Sequence, residues 1–296
     1  MEKVCNIYIA TLPRSGSTLL GEILNQHRSI IHSGESSYWG KVNPNETMCG
    51  CGEMKCPFLL KVQKQLAGNT FPVYQACSIL DKFREPAKEY HRLSLSFGEE
   101  VINNPEKLKN LLDNSVCQLE KIAGAYRTIG RKDIVIDNTK EIVLAGQLVT
   151  RSQWKIIVLV RDPRGLAYSN MQAGIRKGVR RDIESKIPVY VEFATRALAL
   201  LQMPNVFLVK YENLCENREK EIKKVCNFLD VCYEPSMLKF KTVRGHTLMG
   251  NRLRFDDCEE IKEDKNWIRG LDEEEKELIS KDAAFVSLFY EFGYKL

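Results

Sequence analysis

A run of small and hydroxyl-bearing residues, Leu12–Leu20, has the composition of an anion-binding turn. It reads Leu-Pro-Arg-Ser-Gly-Ser-Thr-Leu-Leu and joins a strand-like apolar segment to a segment with helical spacing of apolar residues. Backbone N–H groups at the start of a helix point toward a bound anion, and Gly16 allows that anion to approach closely. Its hydroxyl donors are Ser15, Ser17 and Thr18. The run therefore predicts a phosphate-binding turn, and the alternative is an ordinary helix capped by a serine or threonine.

This turn differs from the loop that binds nucleoside triphosphates. When Gly16-Ser17-Thr18 is aligned with the end of G-x-x-x-x-G-K-S/T, Ser17 takes the place of the lysine and Thr11 that of the first glycine. A loop without that lysine is poorly equipped for a β,γ-phosphate with magnesium. The sequence thus disfavours an ATPase, a GTPase or a kinase using ATP, although a small-molecule kinase stays an alternative.

A second candidate anion site follows the buried, strand-like segment Ile156–Val160. That segment ends at Arg161, a proline-containing turn follows, and Ser169 comes eight residues after Arg161, about two turns into the next helix. A guanidinium and a hydroxyl together suit a phosphate. The alternative is a surface arginine in an ordinary ion pair.

Together these segments resemble the sulfotransferases that use 3′-phosphoadenosine 5′-phosphosulfate (PAPS). Leu12–Leu20 is similar to the 5′-phosphosulfate loop of bacterial and carbohydrate-type members, and Arg161–Ser169 is similar to the 3′-phosphate segment. The resemblance implies a P-loop-like fold, PAPS as co-substrate and 3′,5′-ADP as product. It implies that the donor is bound by Pro13, Arg14, Ser15, Gly16, Ser17, Thr18, Arg161 and Ser169.

Two more segments extend the resemblance, which runs from residue 7 to about residue 270. Asp137-Asn138-Thr139-Lys140 is similar to an Asp-Ser-Ser-Lys stretch of bacterial members, which implies that Lys140 faces the active site. Gly250–Phe255 is similar to a Gly-Asn-x-x-Arg-Phe segment. That similarity implies that Arg254, rather than Arg252, lies beside the nucleotide.

Sulfuryl transfer to an alcohol needs a base for the hydroxyl proton and positive charge beside the leaving phosphate. Glu35 takes the position of the catalytic glutamate in related carbohydrate-type enzymes and is the expected base, with His32 as the alternative. Arg14 and Lys140 are the expected cations. The best-known cytosolic members carry lysine where this chain has Arg14, so which cation assists the leaving group is open. No metal is required for this chemistry.

Three cysteines, Cys49, Cys51 and Cys56, lie within eight residues. They could bind zinc with Cys77 as a fourth ligand, form a disulfide or stay reduced. Their Cys-x-Cys-x₄-Cys spacing lacks the paired Cys-x₂-Cys knuckles of common structural zinc sites, so we assign no metal ligand from the sequence.

The elements that must position these residues alternate between strand and helix. Predicted buried strands cover Cys5–Ala10, Ile134–Ile136, Ile156–Val160 and Val206–Val209. This order predicts an α/β fold with a doubly wound parallel sheet flanked by helices and with the site at the carboxyl ends of the strands. We expect one domain over residues 1–296, with a helical, substrate-facing insertion over 58–126.

Composition excludes several classes of protein. The chain has 296 residues, 44% of them hydrophobic and 28% charged, which is ordinary for a globular enzyme rather than a disordered protein. A net charge of +5 suits a small anionic ligand and not a general nucleic-acid binder. We see no export signal or membrane-spanning run and expect a cytoplasmic protein. The expected reaction is sulfuryl transfer onto a hydroxyl of a carbohydrate, lipid or small metabolite. A further alternative is a non-catalytic protein that only binds an adenine nucleotide.

Overall fold

The computed structural model describes residues 6–66, 104–151, 153–176, 178, 183–239, 242–256 and 260–296. The described strands form one sheet in the order β2-β3-β1-β4-β5, and every neighbouring pair is parallel. They are β1 (Asn6–Thr11), β2 (Ile30–Gly34), β3 (Ile134–Lys140), β4 (Trp154–Val160) and β5 (Val206–Lys210). The predicted parallel α/β fold is therefore confirmed.

Helices follow or connect these strands. In the described residues they are α1 (Ser17–Leu24), α2 (Pro57–Gln65), α3 (Pro105–Gly130), α4 (Ile142–Leu148), α5 (Pro163–Ile175), α6 (Ile187–Leu200), α7 (Tyr211–Glu216), α8 (Arg218–Leu229), α9 (Trp267–Gly270), α10 (Glu273–Lys281) and α11 (Ala283–Glu291). Short 3₁₀ turns cover Ser36–Tyr38, Glu184–Lys186, Pro235–Leu238 and Arg252–Phe255.

The strand residues divide between two hydrophobic cores, one on each face of the sheet. Side chains alternate along a strand, so Ile7 and Ile9 of β1 pack with α1, α7 and α8. Tyr8 and Ala10 of the same strand point to the other face, where α3, α4, α6 and α11 supply the core. Both faces of the sheet are covered, which explains why β1 and β4 read as continuous apolar runs.

Four of the five strands lie where the sequence predicts them, whereas β2 (Ile30–Gly34) was missed. Only its first two residues are large and apolar, but all five are buried. Its polar side chains are hydrogen-bonded inside the protein: Ser33 Oγ donates to the carbonyl of Ile136 at 2.8 Å, and His32 Nδ1 lies 3.1 Å from Glu22 Oε1. Cys5, the first residue of the predicted first strand, lies outside the described residues.

The expected insertion over 58–126 is helical where it is described, in α2 and α3, while residues 67–103 lie outside the described residues. Its substrate-facing role and the single-domain organisation stay predictions. In the described part of the chain, no helix combines the length and apolarity needed to cross a bilayer.

Parallel pairing places the ends of all five strands at one edge of the sheet. β1 is central: Thr11 is in register with Leu159 of β4, and Ala10 is in register with Lys140 of β3. The predicted site residues follow these strand ends, so residues separated by more than a hundred positions are brought to the same edge.

The burial of the central strands predicts how much a truncated core side chain lowers the free energy of unfolding. Ile157 is fully buried in β4, and its truncation to alanine leaves a cavity, so Ile157→Ala should lower the free energy of unfolding by about 2–5 kcal/mol. The matched control Ile175→Ala, at a side chain that is 63% exposed, should change it by less than about 0.5 kcal/mol. Urea denaturation measures both, and equal losses would contradict this assignment of the core.

Candidate active site

The turn between β1 and α1 has the backbone geometry of an anion cradle. Gly16 is the N-cap of α1 with φ of +96°, and no side chain caps the helix, so the capped-helix alternative is not what the structure shows. A Cβ on Gly16 would lie 2.7 Å from Cδ2 of Tyr211, which leaves room for glycine alone. Arg14 also has a positive φ, of 78°. The chain thus follows a strained path around the start of α1.

The side chains of this turn are fixed from several directions. Ser15, Ser17 and Thr18 are buried, Arg14 and Gly16 are half-buried and Pro13 is exposed. The hydroxyl of Thr11 donates to the carbonyl of Leu159 at 2.6 Å and ties the end of β1 to β4. Thr18 Oγ1 accepts from the N–H of Asn251 at 3.3 Å, which joins the turn to the C-terminal segment.

Arg161 directly follows β4, and its buried guanidinium contacts Arg14, Asp264 and Tyr211. Its side chain is 6% exposed. Nη1 donates to the carbonyl of Arg14 at 3.0 Å, and Nη2 donates to the backbone carbonyl and to Oδ2 of Asp264, both at 3.2 Å. The guanidinium lies 4.5 Å from the centroid of the Tyr211 ring. A buried cation held in this way is suited to bind an anion.

Ser169 lies on α5, and its contact with the site runs through Arg14. Arg14 Nε donates to Ser169 Oγ at 3.1 Å, while the backbone carbonyl of Arg14 accepts from Arg161. The structure thus brings both predicted 3′-phosphate residues to Arg14. It also places the Arg14 side chain beside Ser169.

Glu35 and Lys140, the predicted base and one of the predicted cations, form an ion pair. Their side chains are 17% and 15% exposed, so the pair is partly shielded and still open to a ligand. Lys140 ends β3 with a φ of 78°, a left-handed conformation that is costly for lysine. Strain of this kind is held only where the surroundings fix the backbone.

Polar residues beneath the pair hold both strand ends in place. Thr139 donates its N–H to Asp137 Oδ1 at 2.8 Å, and its Oγ1 accepts from the N–H of Ser37 at 3.1 Å. Asp137 is buried, and burial raises the pKa of its carboxyl. The turn that carries Glu35 is therefore fastened to the strand that carries Lys140.

His32, the alternative base, lies away from solvent. It is 1% exposed, its Nδ1 is 3.1 Å from Glu22 Oε1, and its ring contacts Gly21 of α1 so closely that a Cβ there would lie 2.5 Å from the ring. A side chain enclosed beneath α1 does not contact an acceptor in this arrangement.

Arg254 is buried in the last 3₁₀ turn, whereas Arg252 is exposed. Its Nη1 donates to the carbonyl of Thr247 at 3.3 Å, and its guanidinium lies 4.5 Å from the centroid of the Phe255 ring. Burial lowers its pKa, and Nε has no hydrogen-bond partner. A buried donor of this kind is available to a ligand.

Two residues around the site were not predicted as binding residues. Tyr211 follows β5, and its ring contacts both Gly16 and Arg161. Asp264 lies 103 positions after Arg161, in a segment with no periodic pattern, and its partner becomes visible only in the fold. The position of Tyr211 at a strand end was the only signal for either residue.

Comparison with known proteins identifies the family. Residues 6–249 match the family model described as "Sulfotransferase domain". The chain therefore belongs to the sulfotransferase domain family. The predicted relationship to the PAPS-dependent sulfotransferases is confirmed, and sulfuryl transfer is its class of reaction. Among curated proteins, no sequence gives a significant match.

Solved structures give the same picture of the fold. The chain is similar to the sulfotransferase domain from the curacin biosynthetic pathway, with a TM-score of 0.54, 16% identity and full coverage of both chains. It is also similar to the sulfotransferase domain from the Synechococcus PCC 7002 olefin synthase, with a TM-score of 0.50 and 17% identity over 99% of this chain and 95% of that one.

Gly16 offers a direct test of the turn. Gly16→Ala introduces a Cβ against Tyr211 at a positive φ and should lower the free energy of unfolding by about 1–3 kcal/mol. Gly146→Ala is the matched control, because it lies inside α4 with nothing within 4 Å, and it should be neutral or stabilising by up to about 1 kcal/mol. Thermal and urea denaturation compare the two, and a harmless Gly16→Ala would contradict the tight turn.

Proposed function

We propose that this protein transfers the sulfuryl group of PAPS to a hydroxyl of a carbohydrate, lipid or small-metabolite acceptor. The observation that carries the proposal is the convergence of two candidate anion-binding segments at the sheet edge that also carries the Glu35–Lys140 pair. One segment is the uncapped start of α1, and the other contains Arg161 and Ser169. Arg14 contacts both of the latter residues. PAPS carries two separated anionic groups, the 5′-phosphosulfate and the 3′-phosphate, and these match the two segments.

The residues fit the donor by their charge and burial. The first-turn N–H groups of α1 and the hydroxyls of Ser15, Ser17 and Thr18 would hold the 5′-phosphosulfate. Arg161 and Ser169 would hold the 3′-phosphate, and the unpartnered Nε of Arg254 supports its place beside the nucleotide. A Cβ on Gly16 would lie 2.7 Å from Tyr211, so only glycine allows the turn that directs these backbone N–H groups toward the proposed donor site.

In the reaction, Glu35 would accept the proton of the acceptor hydroxyl as its oxygen attacks sulfur. The new O–S bond forms while the bond from sulfur to the phosphate oxygen breaks, and the electron pair of that bond leaves with 3′,5′-ADP. Positive charge beside that phosphate oxygen lowers the barrier. The reaction requires no metal, since the donor is already an activated mixed anhydride.

Lys140 is the better candidate for the cation that assists the leaving group. It is paired with Glu35, whereas the Arg14 guanidinium lies beside Ser169 and so belongs with the nucleotide-binding residues. Lysine can also donate a proton, which arginine does not because its pKa is too high. Arg14 would then bind the nucleotide, and its contacts with Ser169 and Arg161 would link the two candidate anion-binding segments.

The 3′-phosphate assignment predicts a selective loss of nucleotide binding. Arg161→Ala removes a charge-assisted contact and should weaken 3′,5′-ADP by at least about tenfold, while the affinity for 5′-AMP stays nearly unchanged. Arg196→Ala, which breaks a surface pair with Glu192 on α6, is the matched control and should leave both affinities as they are. Titration calorimetry measures all four values.

Equal losses for both nucleotides on Arg161→Ala would contradict a 3′-phosphate at this residue. Magnesium-dependent ATP binding tighter than that of 3′,5′-ADP would favour the kinase alternative. A metabolite extract supplies the candidate acceptors. If the protein binds PAPS but transfers no sulfuryl group to any component of the extract, a non-catalytic binding protein is favoured.

The catalytic assignment predicts loss of turnover with binding kept. Glu35→Gln keeps the shape of the side chain but accepts no proton, so turnover of labelled PAPS should fall by about 10²–10⁴-fold while the affinity for 3′,5′-ADP persists. Lys140→Ala should also lower turnover. The control Glu192→Gln changes an exposed carboxylate on α6 and should leave the rate unchanged. Near-normal turnover of Glu35→Gln would place the base elsewhere.

A further inference from the structure

A cluster of metal-ligating side chains lies outside the proposed active site. It consists of Cys49, Cys51, Cys56 and His246, whose ligand atoms all lie within 4.8 Å of one another. Cys49 and Cys56 are fully buried, and the other two members are half-buried. The fourth member comes from a segment 190 positions beyond Cys56, so the fold and not the local sequence completes the group.

Three of the six distances between the ligand atoms are close to the edges of a tetrahedron around one metal ion, and none of the six exceeds 4.8 Å. Cys51 Sγ lies 3.7 Å from Cys56 Sγ, and His246 Nδ1 lies 3.4 Å from Cys56 Sγ and 3.9 Å from Cys49 Sγ. Tetrahedral zinc with Zn–S of about 2.3 Å and Zn–N of about 2.0–2.1 Å requires S···S separations of about 3.8 Å and S···N separations of about 3.6 Å. All three cysteines are free thiols, so the disulfide alternative is not what the structure shows.

The backbone that carries the thiols is shaped to hold them together. The N–H of Gly52 donates to the carbonyl of Cys49 at 2.9 Å, and the N–H of Gly50 donates to the carbonyl of Thr247 at 2.9 Å. Gly52 has a φ of +93°, and a Cβ on Gly50 would lie 2.2 Å from Thr247 Oγ1. Glycine is thus required between and after the first two cysteines, because the loop turns tightly against the segment that carries His246.

The imidazole of His246 is held by neighbours that do not belong to the cluster. The ring of Phe58 stacks on it at 4.4 Å with an interplanar angle of 7°, and the hydroxyl of Tyr126 donates to its backbone carbonyl at 2.9 Å. Fixed orientation of a histidine by surrounding groups is typical of metal ligands.

We propose that Cys49, Cys51, Cys56 and His246 bind one structural zinc ion. Thiolate sulfur and imidazole nitrogen in tetrahedral arrangement favour Zn²⁺ over magnesium, calcium or manganese, which prefer oxygen. Four protein ligands leave no open position, so the ion has no catalytic part. Its two positive charges would offset the charge of the buried thiolates. Cys77, the fourth ligand considered from the sequence, lies outside the described residues, and His246 occupies that place.

The zinc would fasten two distant segments to each other. Cys56 is the N-cap of α2, and His246 precedes Thr247, whose carbonyl accepts from both Gly50 and Arg254. Loss of the ion should therefore loosen the backbone that holds Arg254. The weaker nucleotide binding that would follow from a displaced Arg254 rests on the proposed function, whereas binding of the metal does not.

Metal content tests the proposal directly. Protein purified without a metal-affinity tag should contain about one zinc per chain by elemental analysis. Cys51→Ser removes a ligand at a half-buried position, where the fold should survive, and should weaken Zn²⁺ at least about 100-fold. Cys226→Ser is the matched control, since Cys226 is a fully buried free cysteine that contacts Met237 Sδ instead, and it should keep the full stoichiometry.

Cobalt substitution gives a second readout that does not depend on how the protein was purified. Metal-stripped protein titrated with Co²⁺ should develop thiolate-to-metal charge-transfer absorption and the intense d–d bands of a tetrahedral centre, with one equivalent at saturation. His246→Asn should alter those bands and keep the charge transfer. Excess Zn²⁺ should remove both, and at the same Zn²⁺ concentration it should raise the melting temperature of the stripped wild-type protein more than that of Cys51→Ser.

Absence of both zinc and a tetrahedral cobalt spectrum in the folded protein would overturn the proposal. So would a Zn²⁺ affinity of Cys51→Ser equal to that of the wild type, or an equal loss of affinity in Cys226→Ser. Zinc at one equivalent in a protein that neither binds 3′,5′-ADP nor turns over PAPS would uphold the metal site and count only against the proposed function.

Discussion

The central place of β1 in a wholly parallel sheet is the constraint on which the site depends. Because β1 pairs with β3 on one side and β4 on the other, the turn after it emerges between the ends of both neighbours. Lys140 and Arg161 lie at those two ends, and Tyr211 follows β5 at the same edge. The backbone accommodates this crowding by left-handed conformations at Arg14, Gly16 and Lys140.

Arg14 joins the two halves of this edge. Its carbonyl accepts from Arg161, its Nε donates to Ser169, and its positive φ lets the backbone and the side chain serve different partners. Both contacts hold Arg14 in a fixed position between Arg161 and Ser169. Preorganised charge is worth more in a buried site than in water, since the surroundings do not need to reorient.

How far the sequence predicts this structure depends on whether the determining contacts are local. Runs such as Ile156–Val160 identify their strands, because every residue is apolar and both faces are covered. Ile30–Gly34 was missed, since His32 and Ser33 are buried by hydrogen bonds that the sequence does not display. The turn around Gly16 and the lysine at the end of β3 were recognisable from motifs. Asp264 and His246 were not, because each meets its partners only after more than a hundred intervening residues have folded.

With the 3′-phosphate at Arg161, as proposed above, the contact between Asp264 and Arg161 would make nucleotide binding an exchange of anions. The phosphate would replace a carboxylate that lies within 3.2 Å of the guanidinium. Its affinity would then reflect the difference between two ion pairs, which is smaller than the strength of either. Asp264 is 36% exposed, so solvent could receive the displaced carboxylate. On dissociation of 3′,5′-ADP the same carboxylate would return to Arg161, which would favour departure of the product and limit inhibition by it.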